Sequence, residues 1–233
     1  MFPDDEVSLG WVSLGRADLP RALERFGRAI QRNPKKYGYL RFVRASAFQN
    51  TAQHDSAAAE ISALLAQLRA SDEKALGTGY QSKELLEYAL GLLHLQALRR
   101  PAARETFGRA VVENAAFSPA HAMLGRLAVE ARDSATALLE YGLAVETDPG
   151  NVDFRIGYGN ALTFAHRQAD AATQFSKAME IEPLYAEPYY LLAVALEAMG
   201  KNAGAGMRYG QFLDHATRSD PRRATAEAKR SLK

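Results

Sequence analysis

Small and apolar residues recur along the chain in a sequence pattern that has six copies. In the clearest copy, Ala137 is followed by Tyr141 after four residues, by Ala144 after three more and by Pro149 after another five. Spacings of three and four place side chains on one face of an α-helix, and no alternation of period two indicates strands. Because proline cannot continue a helix, each such copy predicts a helix that ends near its proline.

A small residue also stands twelve positions before the leading alanine of every copy. Glycine or alanine there would let two helix backbones approach closely, and the bulky residue would fill the wedge between units. The pattern predicts six pairs of packed helices, helix over roughly three quarters of the residues and essentially no strand. The six small residues are Gly10, Ala45, Gly91, Gly125, Gly159 and Ala193.

The last four copies begin 34 residues apart, and the pattern resembles the tetratricopeptide (TPR) repeat, whose signature is W-x2-L-G-x2-Y…A-x3-F…P. The chain matches the Leu-Gly pair of this signature at Leu9-Gly10, Leu90-Gly91 and Leu124-Gly125. The first aromatic residue is present only as Tyr189. In the other copies it is replaced by Glu6, Arg41, Glu87, His121 and Arg155. The resemblance covers residues 3 to about 219 and implies an all-α, right-handed superhelical solenoid.

The repeat divides the chain into about six helix-turn-helix units that form one domain over residues 1–219. The units lie near residues 3–36, 38–71, 84–117, 118–151, 152–185 and 186–219. Residues 72–83 are an insert whose Gly77-Thr78-Gly79 lacks the lysine and the preceding strand of a phosphate-binding loop. Residues 220–233 are expected to form a C-terminal capping helix that Pro221 can start. Asp133 and Asp170 are predicted N-caps of second helices.

The composition offers little that catalysis or metal binding would need. Cysteine is absent, which excludes disulfides, thiol catalysis and Cys-ligated metal sites. The five histidines never stand three or four residues apart, so no helix face presents a pair of histidine ligands. His94 and His121 occupy repeat positions that usually hold aromatic residues, and we expect them in the core. We predict no catalytic residue, no metal site and no cofactor, and the protein is not expected to be an enzyme.

Charge is unevenly distributed, although the net charge is only +2. Residues 1–50 contain nine Lys or Arg and five Asp or Glu, and residues 201–233 contain eight and three, whereas residues 101–200 contain seven and thirteen. A basic stripe follows one face of the first unit's second helix and consists of Arg21, Arg25, Arg28 and Arg32. The stripe is either a solvated face or a docking strip for an acidic protein, a lipid surface or RNA. Nucleic acid is disfavoured because few aromatic residues stand among the arginines.

The TPR resemblance implies a concave face, lined by the first helices, where a partner would bind. Its lining is rich in aromatic and aliphatic residues, which favours an amphipathic helix or an extended peptide with apolar anchors. The candidate groove residues are Trp11, Phe42, Ser46, Gln49, Tyr88, Leu92, Leu95, Arg126, Ile156, Asn160, Tyr190 and Val194.

The expected function is a non-catalytic scaffold or adaptor that binds a protein or peptide partner in this groove. The alternative is a structural or regulatory subunit of a larger assembly, docked through its basic terminal surfaces on an acidic protein, a membrane surface or nucleic acid. No apolar run approaches the ~18 residues that a transmembrane helix needs. The expected location is the cytoplasm if Met1 is the native start, and the periplasm if a signal sequence has been removed.

Overall fold

The computed structural model describes residues 3–72 and 82–232, and within these ranges the chain forms α-helices and no strand. The all-helical prediction is confirmed. The contacts divide the chain into two compact units, an N-terminal unit, Met1–Ala115, and a C-terminal unit, Ala116–Lys233. The predicted insert at 72–83, with its Gly77-Thr78-Gly79, lies outside the described residues except at its two ends.

The described residues of the N-terminal unit form three helix pairs and a short connecting helix. In chain order the helices are α1 (Pro3–Gly15), α2 (Leu19–Arg32), α3 (Pro34–Tyr37), α4 (Leu40–Asn50), α5 (His54–Asp72), α6 (Lys83–Gln96) and α7 (Arg100–Glu113). Helix α1 packs against α2, α4 against α5, and α6 against α7. The one-turn helix α3 connects the first two pairs.

The C-terminal unit likewise consists of three helix pairs, followed by a short helix. Its helices are α8 (Ser118–Glu130), α9 (Ser134–Thr147), α10 (Val152–Phe164), α11 (Gln168–Ile181), α12 (Ala186–Ala198), α13 (Asn202–His215) and α14 (Arg223–Lys229). Helix α8 packs against α9, α10 against α11, and α12 against α13, while α14 lies on α13.

Helix α14 is shorter than the predicted capping segment 220–233 and begins after Arg222 rather than at Pro221. The Asp220 carboxylate accepts hydrogen bonds from the backbone N–H of Arg222 at 2.9 Å and from its guanidinium Nε at 3.0 Å. This turn holds residues 220–222 outside the helix. Ala226, at the centre of α14, is fully buried.

The two predicted aspartate caps have different outcomes. Asp133 is the N-cap of α9, and its carboxylate accepts the backbone N–H of Thr136 at 3.0 Å, as predicted. The prediction for Asp170 is wrong, because α11 begins after Arg167 and Asp170 lies within its first turn. There the Asp170 carboxylate accepts a hydrogen bond from Arg167 Nε at 2.7 Å. An acidic residue in a first turn still favours the helix through its dipole.

All six pairs make the same turn between their two helices. The second residue after each first helix has a positive φ, which is 72° at Gly200 and between 57° and 59° elsewhere. The next backbone N–H then reaches back to a carbonyl five residues earlier, as from Arg99 to His94 at 2.8 Å. This left-handed conformation strains residues that carry a Cβ. The five strained positions are Ala17, Ala52, Leu98, Arg132 and His166.

Glycine at a strained turn position should stabilise the fold. We expect Leu98→Gly and His166→Gly each to raise the free energy of unfolding by about 0.5–1 kcal/mol, because glycine adopts positive φ freely. Leu98 is 76% exposed, so its removal costs little packing. The matched control is Gly200→Ala, which should lower stability by about 1 kcal/mol. Urea denaturation checks all three variants, and a destabilised Leu98→Gly protein would contradict the turn geometry.

In four of the repeats the small residue is a glycine that lies directly under an aromatic ring of the second helix. A methyl group on Gly10 would lie 2.5 Å from the ring of Phe26, and one on Gly125 would lie 2.7 Å from the ring of Tyr141. Non-bonded carbons prefer about 3.5–4.0 Å, so neither position has room for a side chain. The close approach that the sequence pattern predicts is confirmed at these positions.

Two glycines in one helix pair test this packing against helix propensity. In Gly91→Ala the new methyl would collide with the Phe107 ring, and we expect a loss of about 1–3 kcal/mol in the free energy of unfolding. A methyl group on Gly108 would meet no atom within 4 Å, so Gly108→Ala should instead stabilise α7 by about 0.5–1 kcal/mol. Thermal unfolding followed by circular dichroism measures both variants. Equal effects would contradict the packing account.

Candidate functional site

An apolar surface with two clefts surrounds Phe42 in the N-terminal unit. The Phe42 side chain is 52% exposed and lines both clefts, as does Val43. The larger cleft has a volume of about 540 Å³ and the smaller a volume of about 300 Å³. Apolar side chains that line the larger cleft are Leu64, Leu68 and Leu86, and those of the smaller cleft are Leu14, Leu19 and Leu23.

The register of α4 explains why Phe42 reaches this surface. Leu40 and Ala45 are buried against the neighbouring helices, which fixes the rotation of α4. Tyr39, at the N-cap, and Phe42 lie three residues apart on another face, and both are more than half exposed. Ser46 continues this face, and its hydroxyl donates to the Phe42 carbonyl at 3.0 Å. Gln49 is also exposed on the same face.

One edge of the larger cleft is positively charged. Lys35 and Lys36, both in α3, line it. Lys36 pairs with Asp4 at 2.8 Å, and the Tyr37 hydroxyl donates to the same carboxylate. These hydrogen bonds hold the pKa of the Asp4 carboxyl below its usual range. Lys35 is exposed, and no ion pair engages it within the described part of the chain.

The other predicted groove residues of the N-terminal unit lie on its first helices. Trp11 is 44% exposed, and its ring packs edge-on against Phe26 with the centroids 5.0 Å apart. Tyr88 is half-buried and packs against Phe107 at 5.5 Å. Leu92 and Leu95 are also half-buried on α6. None of these lines the two clefts around Phe42.

In the C-terminal unit the predicted groove residues divide into exposed and covered ones. Arg126, Asn160 and Val194 are exposed. Ile156 is 7% exposed and packs in a core cluster that also contains Val152 and Ala178, so it is not available as an anchor. Tyr190 packs against two aromatic rings and under the guanidinium of Arg222, so it offers no free apolar anchor either.

The basic stripe is not simply a solvated face. Arg25, Arg28 and Arg32 converge on the carboxylate of Glu6, at 3.4, 3.2 and 3.8 Å. Glu6 itself is 2% exposed. The Arg21 side chain is 65% exposed and pairs with Asp18 at 3.4 Å. Three of the four arginines therefore help to compensate a buried carboxylate, a role that neither interpretation of the stripe anticipated.

Comparison with solved structures identifies the architecture. YrrB, described as a TPR protein with an unusual peptide-binding site, superposes with a TM-score of 0.68 at 20% identity, over 88% of this chain and 97% of YrrB. A TPR-repeat protein from Cytophaga hutchinsonii gives 0.68 at 15% identity, over 89% and 78%. MamA gives 0.64 at 16% identity, over 73% and 93%. The chain has the TPR fold. No family model and no curated protein matches it by sequence.

The polar residues that replace the first aromatic residue of the TPR signature make specific contacts within their helix pairs. Four of them contact a polar residue nineteen positions later, on the second helix of the same pair. The fifth, Glu87, contacts Arg109 twenty-two positions later on the second helix of its pair. Arg41 meets Glu60 at 3.0 Å, and His121 Nδ1 lies 2.7 Å from Glu140. The remaining cases are Glu6 with Arg25 and Arg155 with Gln174.

These pairs compensate charges that the TPR core would otherwise bury alone. Glu87 is fully buried and contacts Arg69 at 2.6 Å and Arg109 at 3.1 Å. Glu60 pairs with Arg44 as well as with Arg41, at 3.0 Å each. Removing one partner of a buried ion pair leaves an uncompensated charge, which is strongly destabilising. The polar partners of these residues were not predicted, although the spacing of nineteen is visible in the sequence.

Two of the five histidines lie in or near the core of the helix pairs. His121 is 3% exposed beside Glu140, as expected for a core substitute. His94 is half-buried, and burial together with Arg99 and Arg109 lowers its pKa. The described residues contain no group of three His, Asp or Glu side chains that could hold a metal ion. They also contain no helix long and apolar enough to cross a membrane.

A charge swap tests the pairing across the second helix pair. Arg41→Glu places two carboxylates together at a partly buried site, and we expect a loss of about 2–3 kcal/mol in the free energy of unfolding. The double variant Arg41→Glu, Glu60→Arg restores opposite charges and should recover at least half of that loss, as a double-mutant cycle would measure. Urea denaturation at low salt gives the values. Additive losses in the double variant would show that the two side chains do not interact.

Proposed function

We propose that this protein is a non-catalytic interaction scaffold that binds an apolar segment of a partner protein in the clefts around Phe42. The observation that carries the proposal is the position of Phe42, a half-exposed aromatic ring that borders two apolar clefts at once. Aromatic anchors in pockets are the usual centres of binding energy in protein interfaces. Similarity to YrrB, described as having a peptide-binding site, supports the proposal at the level of the fold.

The expected occupant is an extended or helical segment with at least one large apolar side chain. Such a side chain would enter the larger cleft between Phe42 and the leucines of its floor. Fully burying one Leu or Phe side chain contributes about 1.5–3 kcal/mol. An acidic residue beside this anchor would meet Lys35, whose charge no ion pair neutralises in the described part of the chain. A basic residue at the same place would be repelled.

The alternative, docking through the basic stripe, has weaker support. Three of its four arginines are committed to Glu6 inside the first helix pair, so their charges are partly neutralised. Arg21 remains more exposed, but Asp18 lies beside it. Binding through such charges should weaken steeply with salt, whereas binding through apolar anchors should change little.

Selection of peptides tests the proposal. A phage-displayed library of random twelve-residue peptides would be selected on the full-length protein. We expect enriched peptides to carry an aromatic or aliphatic anchor next to Asp or Glu, because these match the cleft and Lys35. The synthetic form of an enriched peptide should bind Phe42→Ala about 5- to 150-fold more weakly, which corresponds to about 1–3 kcal/mol at an anchor.

Val112→Ala is the matched control, because Val112 is an exposed aliphatic residue of the same unit that lines neither cleft. This variant should bind the peptide as the wild type does. Arg21→Glu tests the alternative. If Arg21→Glu abolishes binding while Phe42→Ala leaves it intact, the cleft proposal fails and docking through the basic surface replaces it.

A further inference from the structure

The chain's own C-terminal segment, residues 217–232, occupies a surface of the last helix pair. Ala226 is fully buried in the cluster that contains Tyr209 and Phe212 of α13. The Arg223 guanidinium donates to the carbonyls of Leu213 at 2.9 Å and Ala216 at 3.1 Å, near the C-terminal end of α13. Those carbonyls have few partners within their own helix, so a cation there is favourable.

Two cationic side chains fix the segment to α12. Lys229 Nζ lies 2.7 Å from one oxygen of the Glu197 carboxylate and 2.8 Å from the other, which also accepts the Tyr209 hydroxyl. Arg222 lies over the ring of Tyr190 at 5.4 Å, and Asp220 holds its guanidinium at 2.8 Å. Cations over aromatic rings are attracted by the negative face of the ring.

Gly206 makes room for the backbone of the segment. A methyl group on Gly206 would lie 2.9 Å from the carbonyl oxygen of Arg230 and 3.0 Å from that of Leu232. Gly210 is one turn further along α13, and a methyl there would meet nothing within 4 Å. A glycine within a helix costs stability, so the close approach of the segment gives Gly206 a reason that Gly210 lacks.

The segment covers surface that the repeat pattern places on a first helix. Tyr190, which the sequence offers as a partner-binding residue, lies under Arg222, and Glu197 of the same helix is held by Lys229. The side chains of the C-terminal segment therefore indicate which chemical groups this surface accepts. An acidic residue and an aromatic face accept two cations seven residues apart, with a small side chain between them.

We propose that this surface of α12 and α13 is a second peptide-binding site, which the chain's own C-terminal segment fills until a basic segment of a partner protein replaces it. The replacing segment would carry Lys or Arg to meet Glu197 and a small apolar residue at the place of Ala226. This site is separate from the clefts around Phe42, so its test does not depend on them.

The segment is suited to exchange. Helix α14 has seven residues, fewer than an isolated helix needs to be stable, so its order depends on the contacts described above. Its tether, residues 216–222, gives it an effective concentration in the millimolar range, and a competitor at lower concentration must bind more tightly. Local opening of such a terminal element requires far less free energy than global unfolding.

A variant with a weakened segment exposes the site for measurement. The full-length double variant Ala226→Asp, Lys229→Glu places a carboxylate where the buried methyl group of Ala226 lies. It also replaces the ion pair with Glu197 by a repulsion between two carboxylates. A fluorescein-labelled synthetic peptide with the sequence of residues 217–233 is the probe. We expect fluorescence anisotropy to show saturable binding to this variant, at least about tenfold tighter than to the wild type, whose site is filled by its own segment.

Gly206 and Gly210 provide the matched controls. Adding Gly206→Ala to the weakened variant should reduce peptide affinity on the order of tenfold or more, because the new methyl meets the peptide backbone. Adding Gly210→Ala should leave the affinity unchanged. If the weakened variant does not bind the peptide, or if both alanine variants bind it equally, the proposal is overturned.

Hydrogen exchange on the unmodified protein supplies a test that needs no variant. The amides of α14 are expected to exchange at least about tenfold faster than the central amides of α12 and α13, because the segment opens locally. Excess unlabelled peptide should leave α12 and α13 protected while exchange in α14 rises further. Exchange of α14 at the same rate as α13 would overturn the proposal, because the segment would then leave only when the unit unfolds.

Discussion

The contact between a bulky second-helix residue and the small residue sixteen positions earlier is the constraint on which each helix pair depends. A methyl group on Gly10, Gly91 or Gly159 would collide with the ring of the facing phenylalanine. This contact sets how closely the two helices approach and therefore which side chains can fit beside them. The turn between the two helices has the same left-handed conformation in all six pairs, so the second helix begins at the same distance along the chain from the end of the first.

The position four residues before the small residue of each repeat is filled in an unusual way in this chain. The TPR signature has an aromatic residue there, whereas this chain uses ion pairs and hydrogen bonds such as Arg41 with Glu60 and His121 with Glu140. Buried ion pairs add little net stability, but a buried charge without its opposite partner is costly. Because the pairs differ between repeats, they disfavour the packing of a first helix against the second helix of another repeat. Much of the basic stripe is explained in this way, because its arginines surround Glu6.

The fold could be predicted from the sequence because the spacings that encode it recur regularly. Four residues between Ala137 and Tyr141 fix one helix face, and the 34-residue period fixes the pairing of helices. The surface was harder to predict. Ile156 is buried although the repeat places it near the groove, since burial also depends on neighbouring side chains such as Val152. The turn at Leu98 was missed because nothing in a leucine indicates positive φ.

Charge distinguishes the two proposed binding surfaces. Lys35 and Lys36 edge the cleft beside Phe42, so a segment carrying Arg222 and Lys229 would meet like charges there. The same cations are attracted to the last helix pair, where Glu197 and the Tyr190 ring receive them. Like charges placed opposite each other at an interface cost several kcal/mol, so they disfavour the wrong partner segment. The two proposed surfaces would therefore take different partner segments, acidic at the first surface and basic at the second.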